Sequence, residues 1–123
     1  LHTGHVKYLE ETKSFGDILI LGLNSDNSVR KLKGEKRPIN SQVDRAYILA
    51  SLEVIDYVVI FDDDTPYDLI NLIQPDVLVK GGDYEGKEVV GQDIAKELKL
   101  VKFIDNKSTT KIIERIQNSW KIL

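Results

Sequence analysis

Four strand-length apolar runs, spaced by segments of helical period, restrict the architecture open to this chain more than any other feature. The runs are residues 17–24 (DILILGLN), 56–61 (DYVVIF), 76–80 (DVLVK) and 100–104 (LVKFI). The first carries apolar side chains on both faces, as a buried parallel strand does. Helical segments are expected over residues 5–15, 26–33, 41–52, from Thr65-Pro66 onward, over 91–98 and over 108–120. Ser41 offers an N-cap with Asp44 at the capping-box position, and Val43, Ala46, Tyr47 and Ala50 recur at helical spacing. Leu69, Ile70 and Ile73 form the stripe of the next helix, which starts with Pro66 in its first turn. Strands that alternate with helices make right-handed βαβ units. The expectation is one doubly wound parallel α/β domain over residues 1–123, with no repeat or linker, whose ligands sit at the carboxyl ends of the strands.

Composition narrows the chemistry. The chain has 123 residues, long enough for one core. It has no cysteine, which excludes disulfides, a Cys-based zinc site and a thiol nucleophile, and suits a reducing compartment such as the cytoplasm. No apolar run reaches the roughly 20 residues of a membrane span, and no signal-peptide pattern is visible. A net charge of −3 speaks against general nucleic-acid binding, so an anionic ligand needs a local site. The chain opens on Leu1-His2-Thr3-Gly4-His5 and contains no methionine, and it is read as a fragment lacking upstream residues.

Four places hold residues fit for chemistry. His2 and His5, the two histidines, stand three apart at an expected helix start, where i and i+3 share a face and unpaired backbone N–H groups suit a phosphate. Gly4 between them leaves room for close approach; the bland alternative is two surface histidines. Metal ligation is disfavoured, since no third ligand is in view. Asn24-Ser25-Asp26 is followed by Arg30, Lys31, Lys33, Lys36 and Arg37, cations that would attract a polyanion or form a solvated loop. Arg45 follows on the next helix, as a phosphate contact, a loop anchor or a surface ion-pair partner. Gly81-Gly82-Asp83 breaks the third strand, either as a plain turn or beside a ligand whose hydroxyl or base Asp83 accepts. Ser108-Thr109-Thr110 opens the last helix with three hydroxyls, where capping uses one.

Together these places resemble the nucleotidyltransferase superfamily marked by H-x-G-H (His2-Thr3-Gly4-His5) and a late S-T-T helix start. The segments G-H-V-K-Y-L-E-E, G-x-N-S-D, R-P-I-N with Asp44-Arg45, D-x-x-V-K-G-G-D-Y and V-V-G are similar to its heptose 1-phosphate adenylyltransferase branch. The resemblance implies a Rossmann-like fold whose first strand and glycine-containing loop, ahead of H-x-G-H, are missing from this chain. It also implies a domain commonly fused behind a sugar kinase. The implied reaction joins ATP, with Mg²⁺, to D-glycero-D-manno-heptose 1-phosphate for lipopolysaccharide core synthesis.

In that resemblance His2, Gly4 and His5 hold the nucleotide phosphates. Lys33 and Lys31 neutralise phosphate charge and Arg45 is a weaker substrate contact. Gly82 and Asp83 border base and sugar, and Ser108, Thr109 and Thr110 meet the β and γ oxygens. No protein-held metal is implied. The glycerol-phosphate cytidylyltransferases share H-x-G-H and the region from Gly82 to Lys87 and are the alternative, with a non-catalytic nucleotide-binding module as another. Tyr57 and Trp120 leave room for a homodimer.

Overall fold

In the computed structural model, residues 1–34, 41–82 and 87–102 are described. The elements in order are α1 (Thr3–Lys13), β1 (Ile20–Asn24), α2 (Asp26–Lys33), α3 (Gln42–Ala50), β2 (Tyr57–Phe61), α4 (Tyr67–Ile73), β3 (Val77–Gly81) and β4 (Glu97–Val101). β1 pairs in parallel with β2, from Ile20 opposite Tyr57 to Asn24 opposite Phe61. β3 pairs in parallel with β4, from Val77 opposite Glu97 to Gly81 opposite Val101. Parallel neighbours need a crossover, and α2 and α3 provide it between β1 and β2.

The two ladders share one core. Tyr8 and Leu9 of α1, Leu21 and Leu23 of β1, Leu49 of α3, Ile55 and Val101 of β4 are buried together. Among the described residues the strands form two two-stranded sheets rather than a continuous one. An apolar slot of about 530 Å³ stands between β1 and β3, lined by Leu21 and Gly22 on one side and Leu78 and Val79 on the other. Tyr8 and Phe15 of α1 and Leu69 and Ile73 of α4 complete its walls.

α2 spans the residues its pattern predicts, and Ser41 caps α3 by accepting from the backbone N–H of Asp44 at 3.2 Å. Ile70 is buried in α4 with Leu69 and Ile73 half-buried beside it, as the stripe requires.

Three expectations are corrected. The segment 91–98 does not form a helix. Gly91 has φ +89°, the N–H groups of Ile94 and Ala95 both turn back onto its carbonyl, and Glu97 already pairs with Val77. β4 therefore begins at Glu97, three residues before the expected strand start at Leu100. The face of α3 is also rotated. Val43 and Tyr47 are exposed at 67% and 76%, while Arg45 and Leu49 are buried, because the Arg45 guanidinium has backbone and carboxylate acceptors inside the protein.

Candidate active site

The start of α1 is built by its two histidines. His2 is the N-cap, with extended backbone (φ −138°, ψ 178°), and its Nδ1 accepts the backbone N–H of Gly4 at 3.0 Å. His5 reaches back, and its Nδ1 accepts the backbone N–H of His2 at 3.3 Å. The pair is a reciprocal capping box made of imidazoles, which satisfies helix N–H groups otherwise left without acceptors. A neutral imidazole that accepts through Nδ1 carries its proton on Nε2, so the hydrogen bonds assign the same tautomer to both rings. The ring centroids lie 4.1 Å apart.

His5 is buried, and its pKa is lowered to about 4 by desolvation first, then by repulsion from His2. At neutral pH it is an uncharged hydrogen-bond donor. Gly4 contributes a backbone donor to the cap rather than an unusual backbone angle.

A second arrangement holds the carboxyl end of β1. The N–H of Ser25 donates to the carbonyl of Phe61 at 2.9 Å, and the Ser25 hydroxyl caps α2 by accepting from Ser28 N–H at 3.2 Å. Asn24 donates from Nδ2 to the Ser28 hydroxyl at 2.9 Å, and that hydroxyl donates to the carbonyl of Asp63 at 3.1 Å. Asn24, Ser25 and Ser28 are buried, so this relay fixes the loop after β2 against the start of α2. Arg45, also buried, donates from Nη2 to the carbonyl of Asn24 at 2.9 Å and to the carboxylate of Asp26 at 3.1 Å. Gln42 accepts the backbone N–H of Asp26 at 2.9 Å. The structure thus places Arg45 as a brace between α3 and the β1–α2 turn.

Beside that turn lies a cavity of about 220 Å³, lined by Asn24, Lys33, Asp64, Thr65 and Lys80 together with apolar side chains. Lys33 is half-buried in its wall, whereas Lys31 is exposed and is not one of its lining residues. Gly82 has φ +106° and donates its N–H to the carbonyl of Val101 at 3.0 Å, so its glycine serves the turn that leaves β3. Asp83, Ser108, Thr109, Thr110 and Trp120 lie outside the described residues. His2 and His5 come together at α1, and Lys33 comes together with the end of β3.

Sequence reasoning missed Asn24, Ser28 and Gln42 as a network and Lys80 as a wall residue. The N-S-D segment was visible, but its partner carbonyl at Asp63 lies 35 residues from Ser28. Among the described residues no three His, Asp or Glu side chains form a group able to hold a metal, and no helix is long and apolar enough to cross a membrane.

The cytidylyltransferase-like family matches residues 1–119. The chain is 75% identical over 121 residues to the bifunctional protein HldE of Aliarcobacter butzleri, covering 98% of this chain and 25% of that protein. It is 56% identical over 119 residues to the bifunctional protein HldE of Helicobacter pylori, covering 97% of this chain and 26% of that one. The chain therefore spans about a quarter of the length of these curated relatives. Among solved structures, it is similar to the lipopolysaccharide core biosynthesis protein from Thermoplasma volcanium, with a TM-score of 0.66 and 26% identity over 86% of this chain and 88% of that one. A parallel α/β fold, a match over nearly the whole length and this level of identity together establish that the chain belongs to the cytidylyltransferase-like family of nucleotidyltransferases.

Proposed function

We propose that this domain transfers AMP from ATP to D-glycero-D-manno-heptose 1-phosphate, releasing pyrophosphate and forming ADP-heptose for lipopolysaccharide core synthesis. The observation that carries the chemistry is the imidazole pair at the start of α1. A phosphate oxygen of the sugar phosphate attacks the α-phosphorus of ATP, and the bond to the bridging α–β oxygen breaks. The attacking monoester has a second pKa of about 6, so it is already ionised at neutral pH and no general base is required. Catalysis then rests on positioning and on donors aimed at the oxygens where charge builds.

The Nε2–H groups of His2 and His5 supply those donors, and their Nδ1 bonds hold both rings oriented before substrate arrives. In this reading Lys33 meets phosphate charge at the carboxyl end of β1, with Lys31 as an outer cation. Gly82 and Asp83 border base and sugar, and Ser108, Thr109 and Thr110 bind the outer phosphates. Mg²⁺ accompanies the triphosphate. The phosphates and water supply most of its ligands, and no step is assigned to it.

The choice of a heptose phosphate is supported by the likeness to the HldE proteins and to the lipopolysaccharide core biosynthesis protein. The relatives are bifunctional and about four times longer, which supports a sugar kinase fused ahead of this domain. The exposed Tyr57 on β2 belongs to the face proposed for a homodimer.

The test is pyrophosphate release by the full-length protein with ATP and heptose 1-phosphate, beside CTP and glycerol 3-phosphate. Turnover with the first pair is expected. Preference for the second overturns the substrate assignment, and saturable nucleotide binding without turnover by any pair makes the domain a binding module.

A further inference from the structure

We propose that Lys80, at the end of β3, is a substrate-contacting residue that works with Lys33 across the 220 Å³ cavity to grip the phosphate of the acceptor, with Asp64 and Thr65 over its hydroxyls. The inference rests on the acceptor being a small phosphorylated sugar and names where this chain holds it.

Two lysines from different elements, Lys33 from the last turn of α2 and Lys80 from β3, line one cavity together with Asp64 and Thr65. Cations gathered on a concave wall raise the local concentration of an anion, and a phosphate bound there gains from both. The position is where parallel α/β sheets take ligands, beyond the carboxyl ends of β1 and β3. The size selects the smaller substrate: about 220 Å³ falls below the roughly 300 Å³ at which clefts begin to take drug-sized ligands, too little for a whole nucleotide triphosphate.

The rest of the wall is suited to a carbon skeleton bearing hydroxyls. Val29, Leu32 and Val90 give apolar contact, and Asp64 and Thr65 give an acceptor and a hydroxyl. These two stand on the loop that the Ser28 hydroxyl holds through the carbonyl of Asp63, so their position is set by the core and not by the ligand. Lys80 also lines the larger slot, which places it at the junction of the two cavities.

The test is made in the full-length protein. Lys80→Met keeps the length and removes the charge, and it is expected to raise KM for heptose 1-phosphate roughly ten- to a hundredfold, the range for losing a charged hydrogen bond. KM for ATP should move by less than about twofold, and Lys80→Arg should recover most of the loss. An unchanged sugar-phosphate KM, or equal rises for both substrates, overturns the assignment while leaving the proposed reaction in place. Binding of mannose 1-phosphate, measured by calorimetry, separates the two ideas. If no substrate pair turns over, weaker binding of this probe to Lys80→Met than to the unaltered protein still supports the cavity. Equal binding, or none to the unaltered protein, sinks it.

Discussion

The guanidinium of Arg45 donates to the main-chain carbonyl of Asn24, 21 residues earlier, at 2.9 Å and inside the protein. The same nitrogen meets the carboxylate of Asp26, so one side chain ties α3 to both the end of β1 and the first turn of α2. The cavity that holds Lys33 is built on that turn.

Arg45→Met is therefore expected to destabilise the fold by about 2–4 kcal/mol, because it strands a buried carbonyl and a partly buried carboxylate. Arg45→Lys should recover little, since an ammonium cannot span both acceptors as the planar fork does. Urea unfolding measures it. A loss below about 0.5 kcal/mol, with a raised KM for sugar phosphate, returns Arg45 to a substrate contact.

The imidazole capping box separates cap from catalyst. His2→Asn keeps an N-cap acceptor but removes Nε2–H, so turnover should fall by about 2–4 kcal/mol of transition-state stabilisation with little change in melting temperature. His2→Ala should lose turnover similarly and a further ~1 kcal/mol of stability. Full turnover in His2→Asn means that the ring does nothing beyond capping.

His5 makes stability depend on acid. Its pKa falls from 6.5 in the unfolded chain to about 4 in the folded one, so between these values the unfolded state binds more protons. Stability from this group is complete above pH 6.5 and declines as pH falls towards 4. By pH 4 the loss is expected to be about 3 kcal/mol, and His5→Gln should flatten it. Denaturant midpoints between pH 4 and 7 decide it; equal pH slopes for the two proteins would refute the assignment.

Gly91→Ala is expected to cost about 2–4 kcal/mol. At φ +89° a side chain is strained, and a Cβ would stand 2.6 Å from Ile70 Cδ1 and 2.9 Å from its Cγ2, on the buried face of α4. Thermal unfolding tests this, and combining it with Ile70→Val should restore part of the loss if the clash contributes.

β1, β2 and β3 were legible because a parallel strand is written as a continuous apolar run, whereas β4 interleaves Glu97 and Lys99 with its apolar residues and so starts ahead of the run at Leu100; α2 was legible between Ser25 and Gly34, which bracket it. The face of α3 was not legible. A binary pattern assigns arginine outward, and the acceptor that draws Arg45 inward belongs to a residue remote in sequence. The segment 91–98 misled for a local reason, since its helical spacing spans barely two turns and Gly91 adopts a backbone angle that ends a helix. At the site, the spacing of His2 and His5 announced a shared face, but which ring nitrogen bears the proton is decided by backbone N–H groups that appear only when α1 forms. Lys80 was read as the last residue of a strand, and the wall it shares with Lys33 depends on a loop pinned from Ser28.

The slot between β1 and β3 leaves each of these strands with one ladder among the described residues, β1 on β2 and β3 on β4. In an extended strand successive backbone amides point to opposite edges, so alternate amides are locked in a ladder while their neighbours turn towards the slot. Deuterium uptake should accordingly rise and fall with a period of two along Ile20–Asn24 and Val77–Gly81. Any extended segment that enters the slot would erase the alternation, which makes the isotope pattern of ten residues a direct gauge of whether the two sheets have been joined into one.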